Sequence, residues 1–382
     1  MSGAKGKIKN SEVVVIGAGI VGASTAWRLA REGLKVTLID KGRVGAEASG
    51  RNGGGVRQQY RDARETPLAM AAIGIWAGLA DELGLDLEYS RQGSIRLIRS
   101  AQEKEAALAR VRAEQALGLE VQFLDPDQTR ARLPLLSGKL KILGSTYCPG
   151  DGTANPLLVT RAIGRAAVRA GANVRTGEPV LSLKAKKGRV IAATTPRAEY
   201  RADFFVNAAG PWAGELCRTV GLEAPISLRK SQLIVTERLS PLLNGFVSFN
   251  NGYLRQARDG NLHLGIRGKP IRDNDTSLTS DALDEVGRCF PEVFPFLRNV
   301  NIIRGFAGIT TWTPDSVPII DPKPGPENLI LATGFSGHGF CLGPMVGSLL
   351  TQWITQARTS LDLSPFALAR FNDSERIEEA TT

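Results

Sequence analysis

The sequence predicts an α/β fold in which a parallel-sheet unit is interrupted by an α+β unit carrying an antiparallel sheet. Three observations predict it. Residues 12–41, EVVVIGAGIVGASTAWRLAREGLKVTLIDK, read as strand, glycine turn, helix, strand and acid. Residues 225–265 carry strand-like runs separated by the turns Asn250-Asn251-Gly252 and Asp259-Gly260-Asn261, the pattern of an antiparallel sheet. A second strand, glycine loop and helix, 328–358, follows the first by roughly three hundred residues and brings the two ends of the chain to one ligand.

The opening unit is the most specific of the three. Val13–Ile16 is β-branched and suits a strand buried on both faces. Gly17, Gly19 and Gly22 form G-x-G-x-x-G with Ile20 and Val21 between them. The first glycine allows the tight turn, the second lets backbone approach a pyrophosphate, and the third lets helix and strand pack closely. The helix N-terminus supplies N–H groups and partial positive charge for phosphates. Asp40 ends the second strand, where a carboxylate accepts hydrogen bonds from ribose hydroxyls, and Lys41 follows it. This is a Rossmann-like dinucleotide-binding unit.

The 382 residues exceed one ordinary core, so two joined domains are expected. The hydrophobic fraction of 42% and charged fraction of 23% are those of a soluble globular protein. Cys148, Cys217, Cys289 and Cys341 stand far apart without C-x-x-C, which argues against a zinc site, an iron–sulfur cluster or a disulfide framework, and no metal is expected. The basic leader MSGAKGKIKNSE precedes the nucleotide strand without a small-residue cleavage site, and no run reaches membrane-spanning length. The expected location is cytoplasmic. The net charge of +10 is spread without a basic run, as on a solvated surface or one meeting anionic ligands, and no nucleic-acid partner is expected.

Residues 42–62 are too long and glycine-dense for a simple connection, and such loops are usually functional. Ser49, Arg51, Asn52 and Gly53 to Gly55 offer hydroxyl, guanidinium and backbone N–H groups to a ligand. Residues 64–83 read as a helix, 87–99 as strands around Gly93, and 101–116 as a helix. Asp125-Pro126 caps a short helix stopping near Pro134. Residues 151–156 form a turn capping the helix 157–170. Val174, residues 180–183 and residues 190–193 are strands around a Lys186-Lys187-Gly188 hairpin tip. Residues 203–207 are a buried strand, and Ala208-Ala209-Gly210-Pro211-Trp212-Ala213 a second tight strand-to-helix transition whose glycine suggests close approach to a ligand. Residues 276–290 should be helical, 302–320 a strand pair, and the tail from Asp373 frayed.

Taken together, these motifs resemble the D-amino-acid oxidase and sarcosine oxidase superfamily. The match is GAGIVG with Asp40, S-x-R-N-G-G, VNAAGPWA, T-P-D-x-x-P-I-I and GFSGHGF before the last helix. The resemblance implies an FAD-binding domain at 1–85, 150–222 and 325–382, and a substrate domain at 86–149 and 223–324. It implies oxidation of a carbon–nitrogen bond by hydride transfer to flavin N5. Gly17, Gly19, Gly22, Asp40, Ser49, Asn52 and Gly210 would hold FAD, with Ala209 and Trp212 beside them. Val180 would meet the adenine side, and Gly334, Gly337, His338 and Gly339 the isoalloxazine ring. Residues 51–133 are most similar to the beta subunits of heteromeric sarcosine oxidase, opine oxidase and hydroxyproline or proline dehydrogenases. That similarity implies a secondary amino acid as substrate, with primary D-amino acids or glycine as the alternative, and partner subunits carrying flavin or iron–sulfur centres.

Departures from the family pattern refine this. Asn155-Pro156 replaces the histidine that links FMN covalently, and Gly308 replaces the cysteine that links FAD, so a noncovalent FAD is expected. His263 stands where the resembled oxidases place a lysine for the oxygen reaction, and Cys341 where they hold a substrate carboxylate with lysine. The carboxylate must then meet Arg57, Arg255 or Arg304, whose planar forks suit it. Tyr253, His263 and His338 complete the catalytic candidates. A nicotinamide dehydrogenase would share GAGIVG but leave GFSGHGF unexplained; a flavin-binding subunit that needs partner chains for activity is the other rival.

Overall fold

The computed structural model describes residues 7–250 and 252–372; the polar tail and Asn251 of the expected turn lie outside the described residues. The central sheet has six strands in the order Ile319–Asp321, Leu329–Thr333, Phe204–Asn207, Val13–Ile16, Val36–Ile39 and Asn173–Arg175. All neighbours are parallel except the first pair. Val13, Val14 and Val15 are wholly buried, as the β-branched run requires of a strand covered on both faces.

One face is covered by the helices Ile20–Arg31, Thr66–Leu83, Pro156–Arg169 and Gly339–Gln356, which share one apolar core with the sheet. The last helix lies against the first because its glycines let it. A β-carbon at Gly343 would stand 2.6 Å from Ile20 Cγ2, and one at Gly347 2.5 Å from the β-carbon of Ser24. The other face is covered by a four-stranded layer, Lys7–Asn10, Ala198–Arg201, Arg189–Thr194 and Ser182–Lys186. The basic leader thus contributes a strand of its own.

The second unit is an eight-stranded sheet ordered Ile302–Trp312, Ser227–Arg238, Asn261–Ile271, Gly252–Gln256, Phe246–Phe249, Ser94–Ile98, Gly144–Cys148 and Gln122–Leu124. Its pairs are antiparallel except where Phe246–Phe249 runs parallel to Ser94–Ile98. One face packs on the helix Ser280–Val293, forming a second core around Phe249, Phe290 and Phe294. The other face turns toward the nucleotide unit. A short ladder, Gly55–Val56 with Gly152–Thr153, lies between the two.

Local signals placed most elements well. Ala101–Ala116 begins at a full capping box of Ser100 and Glu103, and Pro126–Arg132 at one of Asp125 and Gln128. Asn155 caps Pro156–Arg169 through its side chain. Two expectations fail. Residues 302–320 are not a strand pair, because Ile302–Trp312 joins the large sheet while Ile319–Asp321 pairs with Leu329–Thr333. The expected boundary at 324/325 therefore falls too late, since Ile319–Asp321 completes the nucleotide sheet. Apolar alternation identifies strands without identifying partners.

Candidate active site

The glycine turn opens a cleft of about 410 Å³ along the C-terminal edge of the parallel strands. Gly17 has φ of +100°, and a β-carbon there would meet the Ala208 carbonyl oxygen at 2.3 Å; one at Gly22 would stand 1.9 Å from the Gly17 carbonyl oxygen. Only glycine lets these backbones approach. The first helix has no side-chain cap and no acid in its first turn. Ile20 N–H donates to Ser49 Oγ at 2.9 Å, while those of Val21 and Gly22 have no backbone acceptor. Unpaired first-turn donors facing a cleft fit the pyrophosphate of a dinucleotide.

Asp40 accepts from Ala18 N–H and Gly42 N–H, both at 2.6 Å, and so ties the glycine turn to the end of its strand. Burial raises its carboxyl above the ordinary value, with those two bonds opposing the rise. It still borders the cleft, as do Lys41, Ser49, Asn52, Val180, Ala209, Gly210 and Trp212. Lys41 Nζ stands 3.8 Å from the Trp212 ring centre. At the far end the cleft meets Thr310, Thr311, Phe335, Gly337, Gly339 and Phe340. The first and last glycine loops therefore do meet at one cleft, as their order in the sequence predicts.

Several expected cofactor residues act one layer back. Arg51 donates to the carbonyls of Ala46 and Ala307 and pins the loop to the large sheet. Gly308 is small because a β-carbon would lie 2.8 Å from the Arg51 carbonyl oxygen, and Gly334 because one would lie 2.5 Å from Thr313 Cγ2. Asn52 bonds within its own loop, to Ala48, Ser49 and Gly54. Gly53 and Gly54 are small because protein lies where their β-carbons would be. A β-carbon at Gly53 would stand 2.2 Å from the Tyr253 ring, and one at Gly54 3.1 Å from the Arg255 guanidinium.

On the substrate side the expected residues divide. Phe246, Arg255, His263, Val235 and Arg304 lie in one row across the large sheet. Arg255 is buried, donates to the Gly53 carbonyl and lies 3.3 Å from His263 Nδ1, so it holds the glycine loop. Arg304 is exposed at the outer end of that row, over Phe306, away from the cleft. Neither is free to clamp a carboxylate. Arg57 is free: its guanidinium lies 4.8 Å from the Phe246 ring centre and donates to no described residue. Burial, with Arg61 adding to it, pushes it down to about 10, so it remains a cation near neutrality. Phe246 stacks in turn on Tyr253, with ring centres 5.0 Å apart.

Burial pushes His263 down to about 3, helped by Arg255 and Arg304, so it is neutral. Burial pushes Tyr253 up to about 12, so it is a phenol. Cys341 is buried with its Sγ 3.3 Å from the Arg57 carbonyl, and burial pushes it up to about 11. His338 faces away from the cleft wall. Its Nδ1 lies 2.9 Å and 3.0 Å from the two carboxylate oxygens of Glu65, which is fully buried and 3.4 Å from Arg61. Burial alone would raise Glu65, but His338 and Arg61 hold it below its ordinary value. The sequence reading missed Glu65 and Arg61, which precede a helix and resemble a solvated cap.

Comparison with known proteins agrees with this geometry. Glycine oxidase of Pseudomonas putida (strain KT2440) is 30% identical over 94% of this chain and 98% of its own. Human mitochondrial dimethylglycine dehydrogenase is 29% identical over 92% of this chain, which spans only 43% of that protein's length. The crystal structure of L-proline dehydrogenase from P. horikoshii superposes with a TM-score of 0.90 at 28% identity, covering 97% of this chain and 99% of the other. Residues 12–353 match the family described as DAO, FAD dependent oxidoreductase. With its dinucleotide cleft built from both ends of the chain, this protein belongs to the FAD dependent oxidoreductase family.

Proposed function

We propose that the chain oxidises a secondary amino acid, N-substituted like sarcosine or an opine, or cyclic like proline or hydroxyproline, with a noncovalently held FAD. The observation that carries it is Arg57, whose guanidinium has no hydrogen-bond or ion-pair partner among the described residues and lies on the Phe246 ring of the large sheet. A guanidinium so placed suits a substrate carboxylate. FAD bound in the cleft supplies the hydride acceptor.

The protein's own groups then have limited work. Arg57 fixes the carboxylate, and the Phe246–Tyr253 stack supplies a flat apolar wall. The surrounding arginines disfavour a protonated amine, so the substrate nitrogen is held neutral, the state from which a hydride can leave its α carbon. Pushed down to about 3, His263 is too weak a base to take the amine proton, and Glu65 is sealed, so neither serves as a base. The cyclic secondary amine named for proline dehydrogenase supports the secondary-amine reading, and the tertiary amine named for dimethylglycine dehydrogenase supports N-substitution; glycine oxidase supports primary amines as the second reading.

Initial rates of dye reduction with matched primary and secondary amino acids decide between them. A higher kcat/KM for glycine or either alanine than for every secondary amino acid tested would replace this reading. Acid precipitation should release free FAD, as neither covalent-linkage position carries the required residue. Partner chains are proposed from the resemblance to beta subunits, and sedimentation of the native assembly as a lone chain would remove them.

A further inference from the structure

A hydrogen-bonded path joins the backbone of Arg57 to the late glycine loop. Arg61 donates from Nη2 to the Arg57 carbonyl at 2.8 Å, and its Nη1 lies 3.4 Å from Glu65 Oε1. Glu65 meets Nδ1 of His338 with both carboxylate oxygens, at 2.9 and 3.0 Å, across 273 positions of sequence. Gly337 and Gly339, on either side of His338, border the dinucleotide cleft, whereas Arg61, Glu65 and His338 do not. The path therefore runs behind the cleft, from the cation proposed for the substrate to the loop expected beside the isoalloxazine ring.

Stability does not account for this arrangement. Glu65 is wholly buried and Arg61 is only 3% exposed. Taking a carboxylate and a guanidinium out of water costs more than one 3.4 Å contact returns, and apolar side chains of similar volume would hold the two segments as well. The guanidinium also forms no bidentate pair with Glu65, and its Nε is buried without a partner. What a polar path has and an apolar one lacks is direction. A carboxylate only accepts, so the hydrogen sits on Nδ1 of His338 and the ring orientation is fixed. Arg61 in turn fixes the carbonyl of Arg57, from which that side chain departs.

We propose that Arg61, Glu65 and His338 are positioning residues that lock Arg57 to the glycine loop, so that substrate and FAD are held in one register. This rests on Arg57 as the carboxylate site proposed above. Hydride transfer needs such a link, because the reacting atoms must stand about 3–3.5 Å apart. Here the two partners are carried by different segments, one following the short ladder at Gly55–Val56 and the other following the strand Leu329–Thr333.

The test alters each end of the path and reads the other. Arg61→Met, made at the Arg57 end, should move the visible flavin bands of the ligand-free holoenzyme. Arg61→Lys, which can meet only one of the two partners, should move them less. His338→Leu, made at the loop, should weaken binding of (methylthio)acetate, a carboxylate without an amine to oxidise, by about tenfold in Kd. His338→Asn, whose amide N–H can stand in for Nδ1–H, should recover most of that loss. With Glu65→Gln already present, His338→Leu should add little to the Kd. Bands unmoved by Arg61→Met together with a Kd unmoved by His338→Leu overturn the relay. Equal losses in His338→Asn and His338→Leu also overturn it, as the mark of a ring that only fills space. Cys341 Sγ makes the other contact with the Arg57 carbonyl, at 3.3 Å. A His338→Leu loss that vanishes in the Cys341→Ala background assigns the link to the last helix and overturns the relay too. Should Arg57→Met leave the Kd unchanged, the carboxylate site itself fails, and the flavin bands of Arg61→Met still decide whether the path reaches the loop.

Discussion

A β-carbon at Gly22 would fall 1.9 Å from the Gly17 carbonyl oxygen, and one at Gly53 would fall 2.2 Å from the Tyr253 ring. Both glycines belong to glycine-rich segments near one cleft, Gly22 in the first turn of a helix and Gly53 in a loop, yet the obstacles differ in kind. At Gly22 the neighbour is backbone held in a parallel sheet, which cannot yield. At Gly53 it is a side chain, stacked on Phe246, which can turn. The dinucleotide end is thus built from main chain and fixed in shape, while the substrate end is built from aromatic and arginine side chains that can be exchanged. Glycine density alone does not distinguish an open approach to a ligand from a tight fit to the protein.

The largest effect expected follows directly. Gly22→Val should leave protein almost without flavin, read from the ratio of flavin to protein absorbance. Gly53→Ala should keep its flavin and raise KM about tenfold, a change of roughly 1.4 kcal/mol. Loss of flavin in both variants would erase the distinction. Next is Glu65→Gln, which leaves Arg61 buried without its carboxylate; urea unfolding should show a loss of roughly 3 kcal/mol. An unchanged midpoint would mean that the pair is not sealed. Asp40→Ala removes the acceptor of two N–H groups and should weaken FAD retention by roughly 1–3 kcal/mol in equilibrium dialysis.

The last effect is a slope rather than an offset and concerns His263. Its pKa in the folded chain, about 3, lies below the ordinary value, so the unfolded chain binds the extra proton between those two values. Stability therefore falls as pH drops through that window, by at most about 1.4 kcal/mol per pH unit from this group. His263→Gln should flatten the slope between pH 6.5 and 4.5 in urea titrations. A slope unaltered by the substitution would show the ring to be solvated.

What the sequence made legible follows the same division. The G-x-G-x-x-G turn, Asp40, Ser49 and the late glycine loop could be read because the geometry of a dinucleotide-binding turn is imposed by local backbone, and local backbone is written in consecutive residues. Caps at Asp125 and in the turn ending at Asn155 were legible for the same reason. The roles of Arg51, Arg255 and Arg304 were not. Each is an arginine near a motif, and only the folded chain shows that Arg51 and Arg255 are bonded to backbone carbonyls while Arg304 is exposed. Glu65 was hidden because nothing in Asp62-Ala63-Arg64-Glu65 announces that the last of its three charged positions is sealed from water. Ile319–Asp321 was misplaced because the chain leaves the large sheet after Trp312, and the strand's partner in the nucleotide sheet follows it rather than preceding it.

The place of Val13–Ile16 at the middle of the parallel sheet has a consequence for the order of events during synthesis. One flank of this strand is covered early, by Val36–Ile39, but the other waits for Phe204–Asn207, which in turn waits for Leu329–Thr333. The first helix likewise waits for Gly339–Gln356 to cover it. Such long sequence separations slow folding and leave an apolar strand edge exposed in the meantime. The most recognisable segment of the chain is thus among the first made and among the last completed. Its flavin colour on refolding should report closure of the whole molecule rather than formation of the local motif.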